Sequence, residues 1–464
     1  MMFFGRTDEL KSMNKRYDKG RFECIIMYGR RRVGKTSLIT EFCKGKPNIY
    51  FSAVKGTVGE NLEQLSKAIY AHNDPSGTNA PIYRSFEEAF EEITKLAEKE
   101  RLIFVIDEYP YLASAEESIS SRLQHIIDHV WKNGQIYLIL CGSSMSFMEE
   151  QVLGYESPLY GRRTAQYKIQ AMNYKEITVF NPSLSLEDQA LVYGITGGIP
   201  HYVNKLDVED DLDEAILENI FEPSAYLFEE PDNLLKQELR EPATYNSIIG
   251  AIASGASKIN EISTKVGMES GACTKYVQVL LELGILKKET PITEKPGRKT
   301  IYVIDDNFFR FWYRFVLKNI SAVHSGRIRQ IYDLAVKKYY AEYMGLVFEK
   351  MCKEYLLKYD AKPAMIVKDI GQWWGTDPRT RKEVQIDIVG TPLEGKEYMI
   401  GSCKYKNEKI GVDELELLKA YSEAFGMGNQ YHYYIFSKGG FTEALLERER
   451  DGEVRLITLE EMYQ

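Results

Sequence analysis

The chain has 464 residues, more than one ordinary core accommodates, and about three domains are expected because single domains usually close at roughly 100 to 200 residues. Apolar residues make up 44% and charged residues 27%, a balance that excludes a fibre or a disordered tail. The net charge of -9 would repel nucleic acid, so any DNA contact has to come from a local basic surface.

The N-terminal MMFFGRTDELKSM turns charged within a few residues and lacks the apolar stretch of a signal peptide, so a cytoplasmic location is expected. The six cysteines (Cys24, Cys43, Cys141, Cys273, Cys352 and Cys403) are scattered without a CxxC pair, which suggests neither a zinc site nor a disulfide framework. Apolar runs such as Leu102 to Ile106 and Ile136 to Cys141 fall far short of the roughly 20 residues that span a bilayer. They read as buried strands, and no membrane partner is expected.

Glu23 to Met27 is a short apolar run entering a glycine-bounded loop, after which Thr36 to Phe42 reads as a helix. Further apolar runs at Ile49 to Ala53, Leu102 to Ile106 and Ile136 to Cys141 alternate with helical patterns at Ser85 to Glu100 and Ser118 to Asn133. This alternation predicts an α/β fold with a parallel sheet covered by helices, over residues 1–170. Tyr174 to Glu230 then reads as short amphipathic helices broken by Asn181-Pro182 and Gly197-Gly198-Ile199-Pro200, a helical lid over residues 171–235.

Gly29-Arg30-Arg31-Arg32-Val33-Gly34-Lys35-Thr36 matches GxxxxGK[ST], and Ser37 follows it. Such a loop wraps backbone N–H groups around phosphates, Lys35 neutralises the β and γ oxygens, and Thr36 ligates magnesium. The strand before it and the helix after it are the context this chemistry requires, so ATP, with its product ADP, and Mg2+ are the expected ligands. Leu102 to Ile106 ends in Asp107-Glu108. Asp107 would hold magnesium through water, and Glu108 would orient the attacking water as general base. The strand Tyr137 to Cys141 ends in Gly142-Ser143-Ser144, which would put a small hydroxyl beside the γ-phosphate, although polar residues also cap strand ends for local turn reasons.

FFGRTDEL, GRRRVGKT, FVIDEYP, LILCGSS, SPLYGRRT and GITGGIP together resemble the archaeal-type predicted ATPases of the AAA+/STAND group, over the whole chain. The resemblance implies that Gly5, Arg6, Glu9 and Leu10 pack near the adenine. It also implies that the turn Gly198 to Pro200 lies between lid and nucleotide. Arg162 and Arg163 in SPLYGRRT are candidates for an arginine that senses the γ-phosphate, though a solvated basic turn explains them too.

Within residues 236–305, Ile259 to Val266, the turn Gly267-Met268, Ser270 to Leu283 and two short runs, Ile285 to Glu289 and Thr300 to Ile304, outline a winged helix. Val277, Leu280 and Leu281 would face its core, with Ser270, Thr274, Lys275 and Gln278 outward. Lys287, Lys288, Lys295, Arg298 and Lys299 form a basic wing able to neutralise phosphates of double-stranded DNA. A protein-packing role suits the same domain, since the second helix carries little positive charge and sits beside Glu269.

Residues 306–464 open with FFRFWYRF and show strand-like stretches at Ala364 to Ile370, Val384 to Gly390, Glu397 to Cys403 and Gln430 to Phe436. The helix around Gly345 to Glu349, with DIGQWWG, QIDIVG and GSCKY, resembles a C-terminal domain of unknown function that looks like the PD-(D/E)xK, restriction-endonuclease-like nuclease fold. In an intact site of that type two carboxylates bind magnesium and a lysine helps activate water. Glu349, Asp387 and Lys404 match three parts, but Ser402 stands where an acid is expected, and a hydroxyl is a poor substitute for a charged oxygen ligand. A degenerate nuclease site is therefore expected, and an ordinary Asp387–Lys404 salt bridge across adjacent strands explains the pair equally well.

These readings predict a magnesium-dependent ATPase whose nucleotide state moves the lid and winged helix against a degenerate nuclease-like domain acting on DNA. Two alternatives stay open: an ATP-regulated switch or scaffold for a protein partner, and an ATP-regulated DNA endonuclease.

Overall fold

Five short runs form the first sheet: β1 (Glu23–Tyr28), β2 (Asn48–Ser52), β3 (Ile103–Asp107), β4 (Tyr137–Gly142) and β5 (Ala165–Lys168). Their order is β2-β3-β4-β1-β5, and every pairing is parallel. β1, β3 and β4 are buried at every residue, as continuous apolar strands between two layers of helices should be. Successive side chains point to opposite faces and feed two cores. Ile26, Phe104 and Leu138 lie in one, with Phe90 and Ile93 of the helix Phe86–Lys99. Ile25, Val105 and Ile139 lie in the other, with Leu38, Ile39 and Phe42 of the helix Lys35–Cys43.

The computed structural model describes residues 3–74, 81–209, 211–297 and 299–464. The chain divides into two compact units: one runs to Ala171 and includes Ile199–His201, and the other comprises Met172–Gly198 and Tyr202–Gln464. The expected α/β sheet is the core of the first. β5 was not among the expected strands. Its sequence AQYK has no apolar run, and it pairs along the free edge of β1. Helices Thr7–Tyr17 and Val58–Asn73 are further additions.

The second unit begins with short helices, among them Leu186–Thr196 and Glu230–Glu238. Helices Pro242–Ala253, Ile259–Val266 and Ser270–Glu282 follow, then an antiparallel pair, β6 (Leu286–Glu289) and β7 (Ile301–Ile304). Gly267 ends the second of these helices in the left-handed region at φ 74°, where a residue without Cβ is least strained. Val277 and Leu280 are buried as expected, whereas Leu281 is only half-buried.

After the helix Tyr340–Lys358 comes a second sheet of β8 (Val367–Thr376), β9 (Glu383–Pro392), β10 (Glu397–Lys404), β11 (Gln430–Ser437) and β12 (Val454–Thr458), in the order β12-β11-β10-β9-β8. β8, β9 and β10 are antiparallel, while β10, β11 and β12 run parallel. β12 was not anticipated. The loop between β6 and β7 is tied to this sheet: Ile292 N–H donates to the Gln372 carbonyl at 2.9 Å, and Ile292 packs against the sheet's core.

Of the lysines expected to make that hairpin basic, Lys287 is neutralised by Glu289 at 2.8 Å and Asp305 at 3.2 Å, and Lys299 by Glu294 at 2.6 Å. Arg298 lies outside the described residues.

Candidate nucleotide site

The loop from Gly29 to Thr36 joins the end of β1 to the helix Lys35–Cys43. Its backbone is built for close turning: Gly29 has φ 151° and Gly34 φ 91°. A Cβ on Gly29 would stand 2.2 Å from the Ile169 carbonyl oxygen, so only glycine fits where the loop passes under that strand's end. Val33, 1% exposed, anchors the loop in the core below. Gly34 caps the helix N-terminus, where free N–H groups and the helix dipole favour an anion.

Lys35 is buried, and its Nζ donates to the carbonyls of Gly29 at 2.8 Å and Arg30 at 2.9 Å. Burial pushes its ammonium below the ordinary lysine value, against the attraction of Glu108 and Asp107. Arg31 Nη2 donates to Tyr111 Oη at 2.6 Å. Arg6 donates to the Val33 carbonyl at 3.2 Å and to that of Gln170, and pairs with Glu9 at 3.3 Å. Pro200 Cγ lies 3.9 Å from where a Cβ on Gly34 would stand. The N-terminal segment and the Pro200 turn therefore both reach this loop.

β3 delivers the two acids. Asp107 Oδ2 accepts from Thr36 Oγ1 at 3.1 Å and from Tyr50 Oη at 2.6 Å, while Oδ1 accepts from Glu108 N–H at 3.0 Å. Burial and the Asp107 charge push the Tyr50 phenol up, so it stays a donor. Glu108 sits at φ 51°, ψ 44°, left-handed geometry that costs a side-chain-bearing residue about 1–3 kcal/mol and is retained where a function requires it. Its carboxylate accepts from Ser143 Oγ at 3.1 Å and 2.9 Å, and from Ser143 N–H at 3.4 Å. Ser143 follows β4, which lies between β3 and β1. Strand order alone thus gathers loop, acids and serine at the carboxyl end of the sheet.

In the second unit, Asp387 on β9 accepts from Cys403 N–H at 2.9 Å, and burial holds its carboxyl above the usual range. Glu349, on the helix Tyr340–Lys358, accepts from Gln372 Nε2, and burial with the Asp387 charge pushes it up to about 7. The Asp387–Lys404 bridge is not formed. Lys404 Nζ pairs with Glu414 at 3.1 Å, and the same Glu414 oxygen accepts from Ser402 Oγ at 2.7 Å. Although burial opposes its charge, Glu414 holds the Lys404 ammonium above its ordinary value. Among the described residues no three His, Cys, Asp or Glu side chains are gathered closely enough to hold a metal ion.

Two family models match this chain: residues 3–206 match an ATPase domain predominantly from Archaea, and residues 312–416 match Archaea bacterial proteins of unknown function. An uncharacterized protein of Methanocaldococcus jannaschii is 33% identical over 473 residues, covering 99% of this chain and 100% of the relative. The chain belongs to this archaeal ATPase family. An uncharacterized ATP-binding protein of the same organism is 44% identical over 46 residues, 10% of this chain and 78% of the relative. The fold is shared with the Walker-type ATPase paby2304 of Pyrococcus abyssi at TM-score 0.53 and 19% identity, over 67% of this chain and 96% of that one.

In this archaeal ATPase the candidate arginine sensors are otherwise engaged. Arg162 grips Asp128, with Nη2 2.7 Å from Oδ2 and Nε 3.1 Å from Oδ1. Arg163 donates to the Leu153 carbonyl at 3.5 Å. Neither is bonded to the loop, Asp107 or Glu108 among the described residues. Ser144 and Ser37 are not buried and make no side-chain bond to the two acids. Three residues that sequence reasoning passed over belong to these clusters: Tyr50, Tyr111 and Glu414. Tyr50 is the one the sequence carried a signal for, since it lies in the strand expected at Ile49 to Ala53. No helix among the described residues is long and apolar enough to cross a membrane.

Proposed function

We propose that this ATPase hydrolyses ATP with magnesium at the Gly29–Thr36 loop, and that the ATP or ADP state is passed to the lid and winged-helix elements to act on duplex DNA. The observation that carries the reading is the continuous chain of bonds from Thr36 through Asp107 to Glu108 and Ser143. Lys35 would exchange two loop carbonyls for the β- and γ-phosphate oxygens, stronger acceptors for a desolvated ammonium. Magnesium suits this donor set, since Thr36 and Asp107 present hard oxygens within 3.1 Å of each other. Bound there, it would neutralise charge developing on the β and γ oxygens. Glu108, held by Ser143, takes a proton from the attacking water. Arg6 and Pro200 stand beside the loop, so either can respond to what it holds. Pro200 also begins the helix Pro200–Leu206, a route by which a change at Gly34 would reach the lid.

Phosphate release from ATP, measured with and without Mg2+ and with and without duplex DNA, tests this. Turnover should require the metal and rise with DNA, and the stimulated part should fall steeply with salt. Turnover indifferent to DNA would remove that part of the reading in favour of a switch for a protein partner.

One observation favours a second reading, an ATP-regulated endonuclease. Glu414 supplies beside Ser402 and Lys404 the carboxylate that position 402 lacks. Magnesium-dependent nicking of plasmid DNA lost in Asp387→Ala and Glu414→Gln would support it, and nicking retained in both would end it.

A further inference from the structure

The second unit contains a cavity of about 920 Å³ whose walls come from the β6–β7 hairpin, the helix Tyr340–Lys358 and the β8–β9 pair. On β8 and β9, Trp373 and Ile386 are buried in the sheet's core, while Gln372, Trp374 and Gln385 line the cavity. Trp374 and Gln385 are directly opposed in register, so an aromatic face and an amide lie side by side on one wall. Glu349, Lys350 and Lys353 also line the cavity, from positions within about one turn of each other on their helix.

Seven Lys or Arg side chains line this cavity against three Glu. Several of those cations are already matched: Lys287 by Glu289 and Asp305, Lys299 by Glu294, and Arg314 by Glu342. Lys350 and Lys353 are half-buried, and among the described residues neither has an ion pair within 4.0 Å. Of the three acids, Glu289 is bound to Lys287, Glu349 accepts from Gln372 Nε2, and Glu383 is exposed. A cavity lined by two half-buried ammonium groups without an ion pair, an aromatic ring and two primary amides matches one ligand chemistry: phosphate joined to a flat, hydrogen-bonding heterocycle. The volume lies at the upper end of the roughly 300–1,000 Å³ range of small-ligand sites, room enough for a nucleotide.

The geometry points to a second nucleotide-binding site, in which Lys350 and Lys353 hold phosphate, Trp374 stacks on the base and the Gln372 and Gln385 amides meet its edge. The ligand is a free mononucleotide or the end of a nucleic-acid strand, which present the same groups. The site is independent of the Gly29–Thr36 loop, so it stands or falls separately from the ATPase reading.

The test uses the full chain carrying Lys35→Ala and two fluorescent probes. One is mant-AMP, which lacks the β- and γ-phosphates that Lys35 would hold; the other is a 5′-phosphorylated, 3′-fluorescein oligothymidine of about 12 nucleotides. Binding of either probe should weaken about tenfold or more in Lys350→Glu/Lys353→Glu, and again in Trp374→Ala, with unfolding midpoints checked in parallel. If the charge reversal unfolds the domain, Lys350→Ala/Lys353→Ala is the variant read. Loss confined to mant-AMP identifies a free nucleotide as the ligand, and loss confined to the oligonucleotide identifies a strand end. Failure of both probes to bind the parent chain, or equal affinity in parent and folded variants, overturns the proposal.

Discussion

Ser143 Oγ donates to both carboxylate oxygens of Glu108, at 3.1 and 2.9 Å, across the gap between the ends of β4 and β3. Glu108 is held in left-handed geometry that aims its carboxylate, and the serine fixes the last torsions. Replacing Ser143 with alanine removes a charge-assisted hydrogen bond while leaving the loop intact. Because such bonds contribute roughly 1.5–3 kcal/mol, kcat for ATP should fall about tenfold or more, with KM little changed. Steady-state phosphate release checks both parameters.

Tyr50 is the second donor to Asp107 Oδ2, at 2.6 Å, beside Thr36. Partners that orient a metal-binding carboxylate typically carry about 10–100-fold in metal affinity. Tyr50→Phe should therefore raise the Mg2+ concentration for half-maximal turnover about tenfold while leaving turnover at saturating Mg2+ near wild type. A magnesium titration of phosphate release separates this from a general loss of activity.

Glu354 lies in the second unit, accepting from Tyr193 Oη at 2.6 Å and Tyr174 N–H at 3.4 Å. Burial pushes its carboxyl above the ordinary glutamate value, only partly offset by the Tyr193 bond. A raised acid favours the protonated form in the folded state, so the fold binds more protons than the unfolded chain between the two values. Stability from this group is present at low pH and is lost as pH rises from the ordinary glutamate range through the raised value. Glu354→Gln, which keeps an acceptor for Tyr193, should melt several degrees above wild type at pH 8 and close to it at pH 4.5. Melting curves at the two pH values check the sign.

The nucleotide loop was legible because its spacing is local: Gly29, Gly34, Lys35 and Thr36 lie on one turn of chain, and Asp107-Glu108 end a strand whose apolar run is continuous. The parallel sheet was legible for the same reason, except β5, whose edge position requires no apolar run. Contacts between residues distant in sequence were not legible. That Ser143 donates to Glu108, and that Glu414 intercepts Lys404, depends on how the elements settle against one another. The charge of the β6–β7 hairpin misled for a related reason. Lys287 and Lys299 read as free cations in sequence, but Glu289, Asp305 and Glu294 lie against them in the fold.

The decisive comparison is ATP binding and phosphate release by wild type, Lys35→Ala and Glu108→Gln, each with saturating Mg2+. Lys35→Ala should lose tight binding and turnover together. Glu108→Gln should bind ATP as wild type does and turn over about 100-fold or more slowly, the scale of a lost general base. Turnover by Glu108→Gln at the wild-type rate, or by Lys35→Ala at all, would contradict catalysis by Glu108 at this loop.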